Sequence, residues 1–106
     1  MSHMIDWTTI VEENLTLSIA GNTTRLKLVA FGKIAFVNLS FTPSATGSGT
    51  ICSTGNYKPR FNTELALFTG SNGTVSRRAL WNTNGTISGD YWSADFTRVF
   101  GVAFLA

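Results

Sequence analysis

Short runs in which apolar and polar residues alternate fill most of this chain, and nearly every run stops at a glycine. From Arg25 to Phe31, Leu26, Leu28 and Ala30 stand against Arg25, Lys27 and Val29; from Ile34 to Thr42, Ala35, Val37, Leu39 and Phe41 share one face. A repeat of two sends successive side chains to opposite faces of a strand and does not fit the 3.6-residue repeat of a helix. Residues 14–19 alternate in the same way through Leu15, Leu17 and Ile19. Residues 60–69 set Phe61, Thr63, Leu65 and Leu67 against Asn62, Glu64, Ala66 and Phe68, and residues 74–82 place Val75, Arg77, Ala79 and Trp81 together. Shorter strands are expected over 50–53 and 86–88, with an apolar closing strand over 98–105. The breaks are Gly21-Asn22, Gly32-Lys33, Ser71-Asn72-Gly73 and Asn84-Gly85, residues that take the positive φ of tight hairpin turns. Stretches 43–49 and 54–59 read as loops, and 89–97 as irregular chain or a bent strand. About eight short strands with turns every roughly 8–12 residues are the pattern of an all-β antiparallel sandwich or jelly-roll-like barrel.

The composition agrees. With 15 Thr, 10 Ser, 8 Asn and 10 Gly in 106 residues, the chain favours strands and turns over helix interiors. That length holds one domain. Ser2-His3-Met4 after Met1 reads as a cloning remnant, so residues 1–4 are set aside and 5–106 are taken as one domain. Charged residues are only 13%, about half the usual share, and the strand 34–42 has a second face carrying Ile34 and Phe36. A strand apolar on both faces is covered on both, which points to contact with another subunit. Trp7 is expected at the base of the domain or against such a neighbour, and Trp81 in the core.

Several functions fall away. Eight scattered Lys and Arg with a net charge of +2 do not make a nucleic-acid surface, and no apolar run reaches the ~18 residues of a membrane helix. Triad chemistry needs a base beside its nucleophile, but His3 is the only histidine and lies in the remnant. Cys52 is the only cysteine; it reads as a small buried residue, and alone it makes neither an internal disulfide nor a zinc site. No metal or other cofactor is expected. The carboxylates are Asp6, Glu12, Glu13, Glu64, Asp90 and Asp95, and a chain this small rarely walls a glycosidase cleft around two of them. Five Asn-x-Ser/Thr sequons occur; Asn72 and Asn84 lie in Asn-Gly-Thr turns, so hairpin chemistry accounts for them better than glycosylation does. Arg77 and Arg78 are adjacent and point to opposite faces, so they form no basic patch by themselves.

The ligand candidates are Asp90, Tyr91, Trp92 and Asp95 in one segment, with Tyr57 and Arg60 near a second loop. Sugars are held by an aromatic face against their C–H patches and by carboxylate or amide groups on their hydroxyls, a mixture of apolar wall and placed polar groups found in binding sites generally. The competing reading has Tyr91 and Trp92 closing one end of the core, with Asp90 as a turn residue.

The order of these segments carries a resemblance. The hairpin run Leu26-Lys27-Leu28-Val29-Ala30-Phe31-Gly32-Lys33-Ile34-Ala35-Phe36-Val37-Asn38-Leu39-Ser40-Phe41 is followed by a Gly/Ser loop and by Thr50-Ile51-Cys52-Ser53-Thr54-Gly55-Asn56-Tyr57-Lys58-Pro59-Arg60. Arg78-Ala79-Leu80-Trp81-Asn82-Thr83-Asn84-Gly85-Thr86-Ile87 comes later. Over about residues 7–105 this resembles the C-terminal head domains of phage tail and baseplate receptor-binding proteins, best known from phages of lactic-acid bacteria. The corner Gly55-Asn56-Tyr57-Lys58-Pro59 departs from that family's Gly-Tyr-Arg-Pro-like corner by one inserted residue and by Lys for Arg, and Ser53-Thr54 stands where Leu-Pro is frequent. The resemblance implies an antiparallel β-sandwich that trimerises about a three-fold axis, needs no metal, is not an enzyme, and binds host cell-wall saccharides. Its other partners would be tail or baseplate proteins, and its place the virion. A structural trimerisation domain without a ligand, and a secreted carbohydrate-binding module, are the alternatives.

Overall fold

A computed structural model describes residues 9–70 and 75–106. Among these there is no helix. Eight strands run in order β1 (Val11–Asn14), β2 (Gly21–Phe31), β3 (Ile34–Pro43), β4 (Gly47–Ser53), β5 (Thr63–Thr69), β6 (Val75–Trp81), β7 (Thr86–Trp92) and β8 (Thr97–Phe104). All pairings are antiparallel, in one sheet of order β1-β2-β3-β8-β5-β6-β7-β4. β5, β6 and β7 form a meander whose last strand comes back beside β4, completing a Greek key.

The sheet is curled. After β1 the chain leaves β2, where Leu15 N donates to Leu26 O, and reaches β4 at the far end of the strand order. There Leu17 bridges Cys52, and Ser18 N donates to Ile51 O at 2.8 Å. This contact draws the two outer strands of the sheet toward each other over a single apolar face. That face holds the alternating residues expected from the sequence, Leu26 and Leu28 on β2, Val37, Leu39 and Phe41 on β3 and Leu65 and Leu67 on β5, together with Val99 on β8, all buried. Cys52 and Trp81 lie at 0% exposure. Burial pushes the Cys52 thiol up to about 12, because no nearby charge offsets the loss of water around a thiolate.

Polar groups inside the curl are paired. Thr69 and Thr97 hydroxyls lie 2.8 Å apart, and Thr69 also meets Ser93 Oγ at 2.9 Å where the β7–β8 connection passes the end of β5. A buried hydroxyl without a partner would cost roughly 1–3 kcal/mol, and this cluster removes that cost.

Some boundaries differ from the sequence expectations. Leu15, Leu17 and Ile19 do turn toward the core, but β1 lies just before them and they sit in the crossing segment. Gly21-Asn22 begins β2 instead of turning. Gly47-Ser48-Gly49 belongs to β4 because it pairs with β7, and β7 runs on to Trp92 through the stretch expected to be irregular. Phe61 is exposed because β5 begins only at Thr63. Trp7, His3 and the Ser71-Asn72-Gly73 turn lie outside the described residues.

The outer face of the sheet is unusual. Register places Ile34 opposite Phe104, Phe36 opposite Val102 and Asn38 opposite Phe100, all facing away from the core. Phe36, Phe100, Val102 and Phe104 are 42–58% exposed, and Phe68 on β5 stacks on Phe100 with centroids 5.9 Å apart. Among the described residues, four of the seven exposed large apolar residues therefore make one contiguous strip on β3 and β8. Single exposed apolar residues are ordinary, but a contiguous patch marks a contact surface.

Candidate functional site

A groove of about 820 Å³ opens along the seam where the sheet curls onto itself. One wall is the segment 13–18, the other is 53–57. Their positions follow from the closure at Leu17 and Cys52, which fixes the crossing segment against the end of β4.

Thr54 organises the second wall. Its side chain is buried, and its Oγ1 accepts the indole N–H of Trp81 at 3.0 Å. The same hydroxyl lies 2.6 Å from Tyr57 O and 2.9 Å from Gly85 O, so its hydrogen is shared between two carbonyls. Tyr57 N donates to Thr54 O at 3.1 Å, and Thr54 N to Gly85 O at 2.7 Å. Both backbone polar groups of Tyr57 are thus held by one residue anchored in the core. The Tyr57 ring is half-buried and packs on the core beside Leu15 and Leu17. This wall is formed before any ligand arrives, which lowers the ordering cost of binding.

Around that ring stand Glu13, Asn14, Thr16, Ser18 and Asn56. Among the described residues their side chains make no hydrogen bond or ion pair. The groove therefore combines an aromatic ring, an aliphatic floor and a set of uncommitted polar groups. No family model and no curated protein matches this chain.

The other sequence candidates are dispersed. Trp92 is buried at 4% exposure, with Nε1 donating to Ala45 O at 3.2 Å and Gly47 against its ring; it closes the core and offers no face to a ligand. Asp90 is not a turn residue. It sits on the outer face of β7, 3.3 Å from Arg78, which also approaches Glu64 at 3.8 Å. Tyr91 is half-buried, with the Arg77 guanidinium 5.2 Å from its ring centroid. The two arginines do point to opposite faces, and each covers one of the candidates on β7. Asp95 lies beyond β7, where Oδ1 accepts the N–H of Phe96 and its carbonyl accepts from Thr97. Arg60 is exposed and its N–H donates to Phe104 O, so it faces the β8 end of the corner and does not line the groove.

Of the sequence candidates only Tyr57 lines this groove. Glu13, Asn14, Thr16, Ser18 and Asn56 were not singled out for ligand contact, because what brings the two walls together is a pairing across 35 positions that no local pattern carries.

Proposed function

We propose that the chain is a host-adhesion head domain of a phage tail or baseplate, which trimerises and binds bacterial surface saccharides without catalysis. The observation that carries this reading is the apolar outer strip of β3 and β8. A domain that leaves Phe36, Phe100, Val102 and Phe104 in water is suited to assembly with copies of itself, and repetition around an axis converts weak single sites into useful avidity. In this reading the curled sheet is the family's antiparallel β-sandwich, and its outer face packs at the three-fold interface. The groove at the seam adds a ring and free hydrogen-bonding groups of the sort that saccharides need. Tail or baseplate proteins would be its other partners and the virion its location.

The test is light scattering together with a pull-down on bacterial cell walls. The expected mass is three times 11.5 kDa, with retention on walls that is competed by wall saccharides. A trimer with no saccharide affinity would replace adhesion by a purely structural role, and a monomer that still binds sugars would favour a secreted carbohydrate-binding module.

A further inference from the structure

We infer that the seam groove is the saccharide site, and that it takes uncharged or amino-bearing sugars in preference to phosphorylated or carboxylated wall polymers. This rests on the adhesion reading and adds a location and a ligand class to it.

The location follows from comparing two aromatic sites. At the β6–β7 surface Arg78 is engaged by Asp90 and Glu64, Arg77 lies over Tyr91, and Trp92 is inside the core. A sugar binding there must displace contacts that already exist. At the seam Tyr57 is held through its backbone while its ring borders open space, and the polar side chains around it have no other partner among the described residues. Binding there breaks no side-chain hydrogen bond or ion pair of Glu13, Asn14, Thr16, Ser18 or Asn56 among the described residues.

The ligand class follows from charge. Among the described residues the groove is lined by one carboxylate, Glu13, and by no lysine or arginine. Lys58 follows Tyr57 directly, but its Cγ lies near Gly85, where its stem covers the neighbouring turn. A phosphodiester or uronate in the groove would meet Glu13 with no cation to offset it, and like charges brought together at partial burial repel. Neutral hydroxyls find Asn14, Thr16, Ser18 and Asn56, and an amino group finds Glu13 as well.

The experiment titrates the intact protein against immobilised neutral oligosaccharides, amino-sugar oligosaccharides and a glycerol-phosphate polymer. Wild type should prefer the first two. Tyr57→Ala should weaken binding about tenfold or more, the usual loss for a central aromatic contact, while Asp90→Asn stays within about twofold. Glu13→Gln should lower amino-sugar affinity, leave neutral sugars nearly unchanged and relieve the rejection of the phosphate polymer. Should Tyr57→Ala fail to fold, Asn56→Ala and Thr16→Ala serve instead, since neither side chain bonds within the described chain. Loss with Asp90→Asn and not with the groove variants overturns the location and leaves adhesion standing. Preference for the phosphate polymer overturns the ligand class. No binding to any probe overturns this inference, and the wall pull-down then shows whether adhesion falls with it.

Discussion

Thr54 joins the core to the surface through a single oxygen. Replacing it with valine keeps the shape and removes the acceptor for Trp81 Nε1, leaving a buried N–H without a partner and freeing the Tyr57 carbonyl. Thr54→Val should cost about 1–3 kcal/mol, measured by denaturant unfolding, and should also weaken any ligand held by Tyr57. Cys52 gives a second expectation at this scale. Its folded thiol lies near 12 against an ordinary 9.0, so the unfolded chain loses this proton first as pH rises. The stability it contributes is complete below about pH 9 and declines between 9 and 12, by up to about 1.4 kcal/mol per unit. Cys52→Ala should remove that part of the alkaline slope in unfolding titrations, and the native thiol should resist alkylation at neutral pH. The buried character of Trp81 was legible from its place on an alternating run, and that of Cys52 from the burial usual for a lone cysteine on a short strand. The role of Thr54 was not, because its partners are 27 and 31 residues away.

At the scale of elements, alternation placed β2, β3, β5 and β6 on their correct faces, since a strand with one apolar side has one way to lie on a core. It failed where composition and tertiary demand disagree. Gly47-Ser48-Gly49 has the makeup of a flexible loop, yet it forms the start of β4 because Trp92 needs a flat neighbour. A Cβ on Gly47 would stand 3.1 Å from the indole, which is itself fixed by Ala45. Gly47→Val should therefore destabilise the fold by about 1–3 kcal/mol through overpacking, visible as a lower melting temperature with loss of native tryptophan fluorescence. The same pairing explains why Tyr91 and Trp92, adjacent in sequence, have different fates. Opposite Gly47–Gly49 the register shifts, with three steps from Gly89 to Trp92 against two on β4, so the alternation that would send Trp92 outward with Asp90 is broken and Trp92, not Tyr91, enters the core.

For the whole molecule, the apolar second face of β3 was readable from Ile34 and Phe36, and β8, expected only as an apolar closing strand, extends it through Phe100, Val102 and Phe104; this strip remains the main reason to expect self-assembly. Val102 is 57% exposed at the middle of the strip and makes no contribution to the inner core. Val102→Asp should shift the light-scattering mass toward that of a single chain while circular dichroism keeps its β-sheet signature. An unchanged mass would place the interface elsewhere. The curl was not legible, because residues 15–18 and 51–52 meet only after every intervening strand has been laid down.

The groove walls have a consequence for how such a chain can change over generations. The side chains of Glu13, Asn14, Thr16 and Asn56 make no hydrogen bond or ion pair among the described residues, so replacing them takes little from a folding margin that is generally small. In the adhesion reading proposed above, ligand preference would then drift at these four positions while Thr54 and Trp81 stay constant behind them, and a new host coat would be met by surface substitution alone.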